Sequence, residues 1–231
     1  MDATTLSQKV YDSLYQRMRA GAIPPGTRLV NRKIAAELGT STIPVREAIG
    51  RLVSEGLAES TPGGGAFVRT PEPNELAELY DVRETLEVLA AAEAARFATD
   101  RLVAELREPC ELFESVAAAI APGKHATRKL FSQWLDAEEQ FHTRLIAASR
   151  NRWLVKTAQS VRVISLVFAA HRQSPNLLTH SIAEETARHH HELLEILAAK
   201  DVAAARAWMT AHIRTGRDTV LGHLRSARNS K

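Results

Sequence analysis

Glu138 and His142 lie four residues apart in a segment where Phe131, Leu135, Leu145 and Ile146 mark a helical apolar face, so both polar side chains are expected on that face. Further along, His189, His190 and His191 are consecutive, and successive side chains on a helix differ in direction by about 100°. Only His190 precedes Leu193, Leu194 and Leu197 by three, four and seven residues, which selects it as the inward-facing one. Near the end of the chain, Val202, Ala205, Met209, Ile213 and Val220 define another apolar edge, and His212 stands on it one turn beyond Trp208. Three helices thus send one carboxylate and three imidazoles toward a common interior.

Ionisable groups in an apolar interior are costly unless paired or ligated. A divalent cation satisfies all four together, and three nitrogens with one oxygen suit zinc first, with nickel or manganese as alternatives. The competing account gives each histidine a hydrogen-bonded place in the core and Glu138 an ion pair with an arginine. It serves well for any one of them and less well for four together.

The elements that position these groups must be helices. The chain has 231 residues, 45% hydrophobic and 25% charged, and from Glu72 onward Ala, Leu, Glu and Arg dominate, the usage of a helical bundle. Breaks near Thr99, at Pro122-Gly123, at Ser149 to Asn151, at Ser174-Pro175 and at Lys200-Asp201 predict six helices in an antiparallel bundle over residues 74–231. Residues 71–73, between Thr70 and Asn74, form a proline-stiffened hinge, and the chain length accommodates a second domain over 1–70.

That first segment carries the whole formal charge excess: nine Lys and Arg against six Asp and Glu, the remainder being balanced. Leu6, Val10, Leu14 and Met18 predict a first helix that Gly21 closes. After the turn at Ile23-Pro24-Pro25-Gly26, a short helix from Asn31 buries Ile34, Ala35 and Leu38 and ends at Gly39. Ser41 or Thr42 then caps a third helix, where an early Pro44 is tolerated because first-turn amides lack intrahelical partners. Val45, Ile49, Leu52 and Val53 form its buried stripe, leaving Arg46, Gly50 and the Thr42 end outward. Two short strands, 57–60 and 66–70, flank the turn Thr61 to Gly65 as a wing. A helix, a tight turn and a capped helix with a basic tip present that tip to a DNA major groove. For an isolated arginine, a solvated surface or an ion pair such as Arg51 with Glu55 is the alternative.

The run from Pro24 to Val68, with Pro25-Gly26, Leu38-Gly39, Pro44-Val45-Arg46-Glu47-Ala48, Glu55-Gly56-Leu57 and Gly65-Ala66-Phe67-Val68 together, resembles the winged helix-turn-helix of the GntR family of bacterial regulators. The resemblance implies DNA contacts from Arg32 and Arg46, the latter reading a guanine edge, with Ser41, Thr42, Pro44, Gly64 and Gly65 at the same surface. It departs at Thr42 and Gly64, where family members carry an arginine and a basic or polar residue. The stretches from Glu78, from Glu138 and from His190 resemble the FCD effector domain of the FadR-type subfamily, in a subgroup that binds metal. That implies Glu138, His142, His190 and His212 as ligands, with Glu138 replacing the usual aspartate. It further implies an organic-acid effector and Arg83 as a carboxylate clamp. Arg83 lies on the stripe Leu76, Leu79, Tyr80, Leu86 and Ala90, and an i, i+4 pair with Glu87 is its alternative role.

The expected protein is therefore mostly α: an N-terminal winged helix and a C-terminal bundle, acting as a homodimer on operator DNA under control of a small carboxylate metabolite. A metal-dependent enzyme is the weaker alternative, since Glu138 serves as a ligand and no further carboxylate stands ready as a base. A direct metal sensor with no organic ligand is the other. The lone Cys110, the lack of an apolar leader at Met1 to Val10 and the shortness of the run Val163 to Ala170 predict a cytoplasmic protein without a membrane partner.

Overall fold

Threonine hydroxyls begin four of the helices. Thr5, Thr99, Thr127 and Thr179 each accept a hydrogen bond from the backbone N–H three residues on, which satisfies one of the donors that a helix start leaves open. The computed structural model describes residues 5–70, 72, 74–170 and 175–229. Pro71 and Pro73 of the expected hinge, and Ser174, lie outside the described residues. By its contacts the chain divides into two compact units, one of residues up to Leu76 together with the end of a long helix from Arg162, the other of 77–161 and the remainder.

In the first unit, α1 (Leu6–Arg19), α2 (Asn31–Glu37) and α3 (Thr42–Ser54) pack around Val10, Leu14, Met18, Ile34, Val45, Ile49 and Leu52. Leu6, expected on the α1 stripe, is exposed, and Val53 and Leu38 are half-buried. Gly21 and Gly39 hold positive φ after α1 and α2, the left-handed conformation that lets the chain turn there. Ser41 occupies the N-cap position of α3 without a side-chain cap bond. On the far side of α3, Arg51 lies 3.8 Å over the Tyr11 ring and pairs with Glu55 at 2.8 Å, while the Tyr11 hydroxyl donates to Glu55, so this arginine is committed to joining α1 and α3.

The wing is a three-stranded antiparallel sheet in the order β1 (Arg28–Leu29), β3 (Gly65–Val68), β2 (Ala58–Thr61), with Arg28 opposite Phe67 and Ala58 opposite Val68. The two-residue β1 is too short to leave an alternation in the sequence, so the two strands expected at 57–60 and 66–70 are joined by a third.

The second unit holds α4 (Glu75–Arg96) from Ala77 onward, α5 (Asp100–Ala119), α6 (Arg128–Ala147), α7 (Arg152–Ala170) as far as Val161, a 3-10 turn at Pro175–Leu177, α8 (His180–Ala198) and α9 (Val202–Asn229). Phe113, Phe141, Leu106, Leu145 and Leu193 are fully buried where α5 meets α6 and α8. Pro109 sits inside α5 and has no N–H to offer the Glu105 carbonyl one turn back. The Arg144 guanidinium of α6 donates to that carbonyl instead and also pairs with Glu108 at 2.7 Å. This proline therefore creates the acceptor that ties α6 to α5. On α6 the buried face is Trp134, Ala137, Phe141, His142, Leu145 and Ile146, whereas Phe131 and Leu135 are only half-buried. The stripe used to place Glu138 and His142 is thus rotated toward Trp134 and Ala137.

Candidate metal centre and nucleic-acid interface

α6 carries Glu138 and His142 one turn apart, α8 brings His190 and α9 brings His212, and one ligand atom from each lies within 4.8 Å of all the others. His142 Nε2 is 3.4 Å from Glu138 Oε2 and 3.0 Å from His212 Nε2. His190 Nε2 is 3.8 Å from Glu138 Oε1, and His212 Nε2 is 4.0 Å from Glu138 Oε2.

The outer faces of two imidazoles are already committed. His190 Nδ1 lies 2.8 Å from the Thr186 carbonyl, which can only accept, so Nδ1 carries the proton. Burial pushes the His190 imidazolium down to about 4, against the favourable pull of Glu138, so near neutral pH its Nε2 is a bare lone pair. That atom is buried and has no hydrogen-bond partner. His142 Nδ1 lies 2.6 Å from Glu87 Oε2, with both side chains 1% exposed, so its proton is held by a carboxylate and Nε2 turns inward. Burial also holds His212 well below the ordinary histidine range, reinforced by the two neighbouring imidazoles.

Burial alone would raise the Glu138 carboxyl. A hydrogen bond from the His142 ring and the charges of His190 and His212, present only when those rings are protonated in acid, outweigh it and hold the group well below the usual carboxylate range, so it is already ionised where the rings are neutral. An ionised carboxylate and converging nitrogen lone pairs, with their second nitrogens fixed by a carboxylate and a carbonyl, fit a divalent cation, because outer-shell acceptors of this kind orient and strengthen histidine ligands. The unpartnered His190 Nε2 is the observation that decides the fit.

Two further residues shape the cluster. Arg83 Nε donates to Glu87 Oε1 at 2.8 Å, completing a buried chain Arg83, Glu87, His142. The i, i+4 pair weighed as the alternative for Arg83 is therefore present, and its two Nη groups are the donors left for another partner. Trp208 stacks on His212 at 4.8 Å and 10°, and its indole N–H donates to the His189 carbonyl at 3.0 Å, linking α9 to the turn of α8 that holds His190. In the sequence Glu87 stands out only as an i, i+4 partner for Arg83, and Trp208 only as the residue one turn before His212. A charge on the inner stripe of α4 was the available signal for the first. Ring stacking across helices leaves no sequence signal for the second.

In the first unit, Arg32 and Arg46 are exposed, as are Ser41 and Gly65, while Thr42 and Gly64 are partly covered. Pro44 is buried and packs the first turn of α3. A Cβ added at Gly64 would meet Thr61 Oγ1 at 2.2 Å, so the turn closes too tightly for a side chain without rearrangement. Gly65 holds φ +93 beside the Arg28 guanidinium, which brings a cation to the wing.

Residues 6–68 match the family described as bacterial regulatory proteins, gntR family, and residues 78–215 match the FCD domain. The Nta operon transcriptional regulator of Aminobacter aminovorans is 31% identical over 203 residues, covering 88% of this chain and 89% of that protein. The chain belongs to the GntR family. Its FCD domain makes it a regulator of the FadR type, and both its family matches and its relatives are transcriptional regulators, not enzymes. The HTH-type transcriptional regulator McbR of Escherichia coli is 35% identical over 111 residues, covering 48% of this chain and 50% of that protein. The solved structure of E. coli McbR/YncC superposes with a TM-score of 0.79 at 25% identity, covering 96% of this GntR-family chain and 99% of that one. This regulator binds DNA through its winged helix, and no helix among the described residues is long and apolar enough to cross a membrane.

Proposed function

We propose that this regulator holds one divalent metal ion, zinc before nickel or manganese, on Glu138, His142, His190 and His212, and that a small organic acid acts there as effector. The observation that carries the reading is the convergence of four ligand atoms within 4.8 Å around a buried imidazole nitrogen that has no other partner. Glutamate in place of aspartate adds one methylene and still reaches the three nitrogens. A divalent ion would add positive charge to a site that already holds the Arg83 guanidinium, so an anionic ligand is the matching chemistry. The Nη groups of Arg83 are the donors proposed to meet its carboxylate.

The protein would work as a cytoplasmic homodimer, since a single winged helix reads too few base pairs for specific binding and two fit paired half-sites. Arg46 and Arg32 would contact base edge and phosphate, with Ser41, Thr42, Gly64 and Gly65 approaching the backbone. Effector binding would re-set the relative pose of the two winged helices and so their match to the operator.

The test follows retention of an operator fragment by metal-free protein, by the zinc-loaded protein and by the loaded protein with a panel of small carboxylic acids. The reading expects the acid response only in loaded protein. If zinc alone switches binding and no acid adds to it, the protein is a direct metal sensor. Identical binding in all three conditions would refute control through this site.

A further inference from the structure

Successive side chains of a strand point to opposite faces, and in the wing Leu29, Ala58 and Val68 turn inward and are buried. The register pairs Arg28 and Glu59 with Phe67 and Thr61 with Gly65, so these residues share the outer face of the sheet. From Leu57 to Thr70 the hairpin carries one cation, Arg69 at its root, which pairs with Glu75 at 2.5 Å. The turn from Thr61 to Gly65 holds no charge, and its three glycines present bare backbone. The hairpin therefore brings no uncommitted cation of its own to the tip.

Arg28, on the neighbouring β1, fills that place. Its Nε and Nη2 lie 3.4 and 3.6 Å from where a Gly65 Cβ would stand, and its guanidinium carbon is 6.0 Å from the Phe67 ring centroid. The side chain thus leans along β3 toward the tip, bedded on Phe67, and does not cross the ring to pair with Glu59. Arg28 is exposed and makes no ion pair among the described residues, unlike Arg51, which is held by Glu55. Its charge stands beside the glycine that lacks a side chain.

We propose that Arg28 enters the minor groove flanking the half-site that α3 reads and selects A·T pairs there. The inference rests on the reading above in which the wing approaches the duplex, and it names the side chain that reads sequence from that position. A tip of bare glycines suits a groove about 6 Å wide, and the cation beside Gly65 shares whatever depth the tip reaches. A guanidinium is more weakly hydrated than an ammonium and so leaves water at lower cost. Stiff A·T runs narrow the groove and deepen its negative potential, whereas guanine sets an amino group on its floor. A phosphate contact would use the same charge and read no base.

The probe is the duplex that the full chain enriches from a randomised pool. Its flanks are then set, pair by pair, to A·T, to G·C or to inosine·C, which keeps the minor-groove edge of A·T under the major-groove edge of G·C. Fluorescence anisotropy over a salt series should show the parent binding A·T and inosine·C alike and G·C about 10-fold more weakly. Arg28→Ala should bind all three alike, with a salt slope lower by about one. Arg28→Lys should restore the slope and not the discrimination. Arg28 is exposed, so both variants are expected to fold, which circular dichroism and melting on the same samples check. An Arg28→Ala chain that still prefers A·T, or a parent that groups inosine·C with G·C, would overturn the assignment. A parent indifferent to the flanks, with Arg28→Ala weaker on all three duplexes, would overturn it too and make Arg28 a phosphate contact. A parent that enriches no sequence from the pool would overturn the operator reading itself.

Discussion

Replacing Glu87 with glutamine tests how the outer shell controls the cluster. Two buried bonds meet on the Glu87 carboxylate: Oε1 accepts from Arg83 Nε at 2.8 Å and Oε2 accepts from His142 Nδ1 at 2.6 Å. Glutamine has one acceptor and one donor in the same shape, so it cannot accept from both Arg83 and His142. If the amide nitrogen faces His142, the imidazole must carry its proton on Nε2, pointing it at Glu138 and His212 and removing a lone pair from the cluster. If it faces Arg83, donor meets donor; in either orientation the buried guanidinium loses its counter-charge, which costs about 3–5 kcal/mol where a buried pair is broken. Losing an outer-shell partner lowers metal affinity about 10- to 100-fold, or roughly 1.4–2.7 kcal/mol. Glu87→Gln should therefore bind zinc 10- to 100-fold more weakly in competition with a chromophoric chelator, and should melt at lower temperature. Parent-like zinc affinity in a folded Glu87→Gln protein would show that His142 does not depend on Glu87 for its orientation.

Arg46→Ala should weaken operator binding by about 1–3 kcal/mol and relax discrimination at one base position in a gel-shift series. Arg32→Ala should weaken binding evenly across sequences and lower the salt slope by about one. Arg144→Ala removes the donor that meets the carbonyl freed by Pro109; because that bond is exposed and water can replace it, chemical denaturation should show a loss of about 0.5–1.5 kcal/mol. The metal-free protein should lose stability as pH falls. His190 takes a proton near 6.5 when unfolded and only near 4 when folded, so the unfolded chain binds more protons between those values. Stability should be intact above pH 6.5, decline toward pH 4 by up to about 3 kcal/mol and change little below that from this group. A urea midpoint that stays flat from pH 7 to 4.5 would contradict the protonation assigned to His190.

The helices and the convergence of Glu138, His142, His190 and His212 were legible because each residue interrupts an apolar stripe, and stripe periodicity survives in sequence. His190 could be chosen from three consecutive histidines for that reason, and it is 0% exposed while His189 and His191 reach the surface. Periodicity is a coarse ruler, however. It placed Phe131 and Leu135 deeper than they lie, and it put Leu79 and Leu86 with the inner face of α4, where they are only half-buried. Contacts between separate elements left no trace. The Glu87 bond to His142 spans 55 residues, and the Trp208 stack on His212 depends on ring orientation. β1 is too short for any alternation, and the Arg144 bond to the Glu105 carbonyl is visible only once α5 and α6 are side by side.

The central claim is that one buried constellation binds a single divalent ion. X-ray absorption at the zinc edge of the loaded chain, with stoichiometry measured on the same sample, tests it directly. The account predicts one zinc per chain with a scattering shell from three imidazoles, lost when His142 and His190 are both replaced by alanine. Zinc bound without an imidazole shell, or bound equally by that double variant, would contradict it.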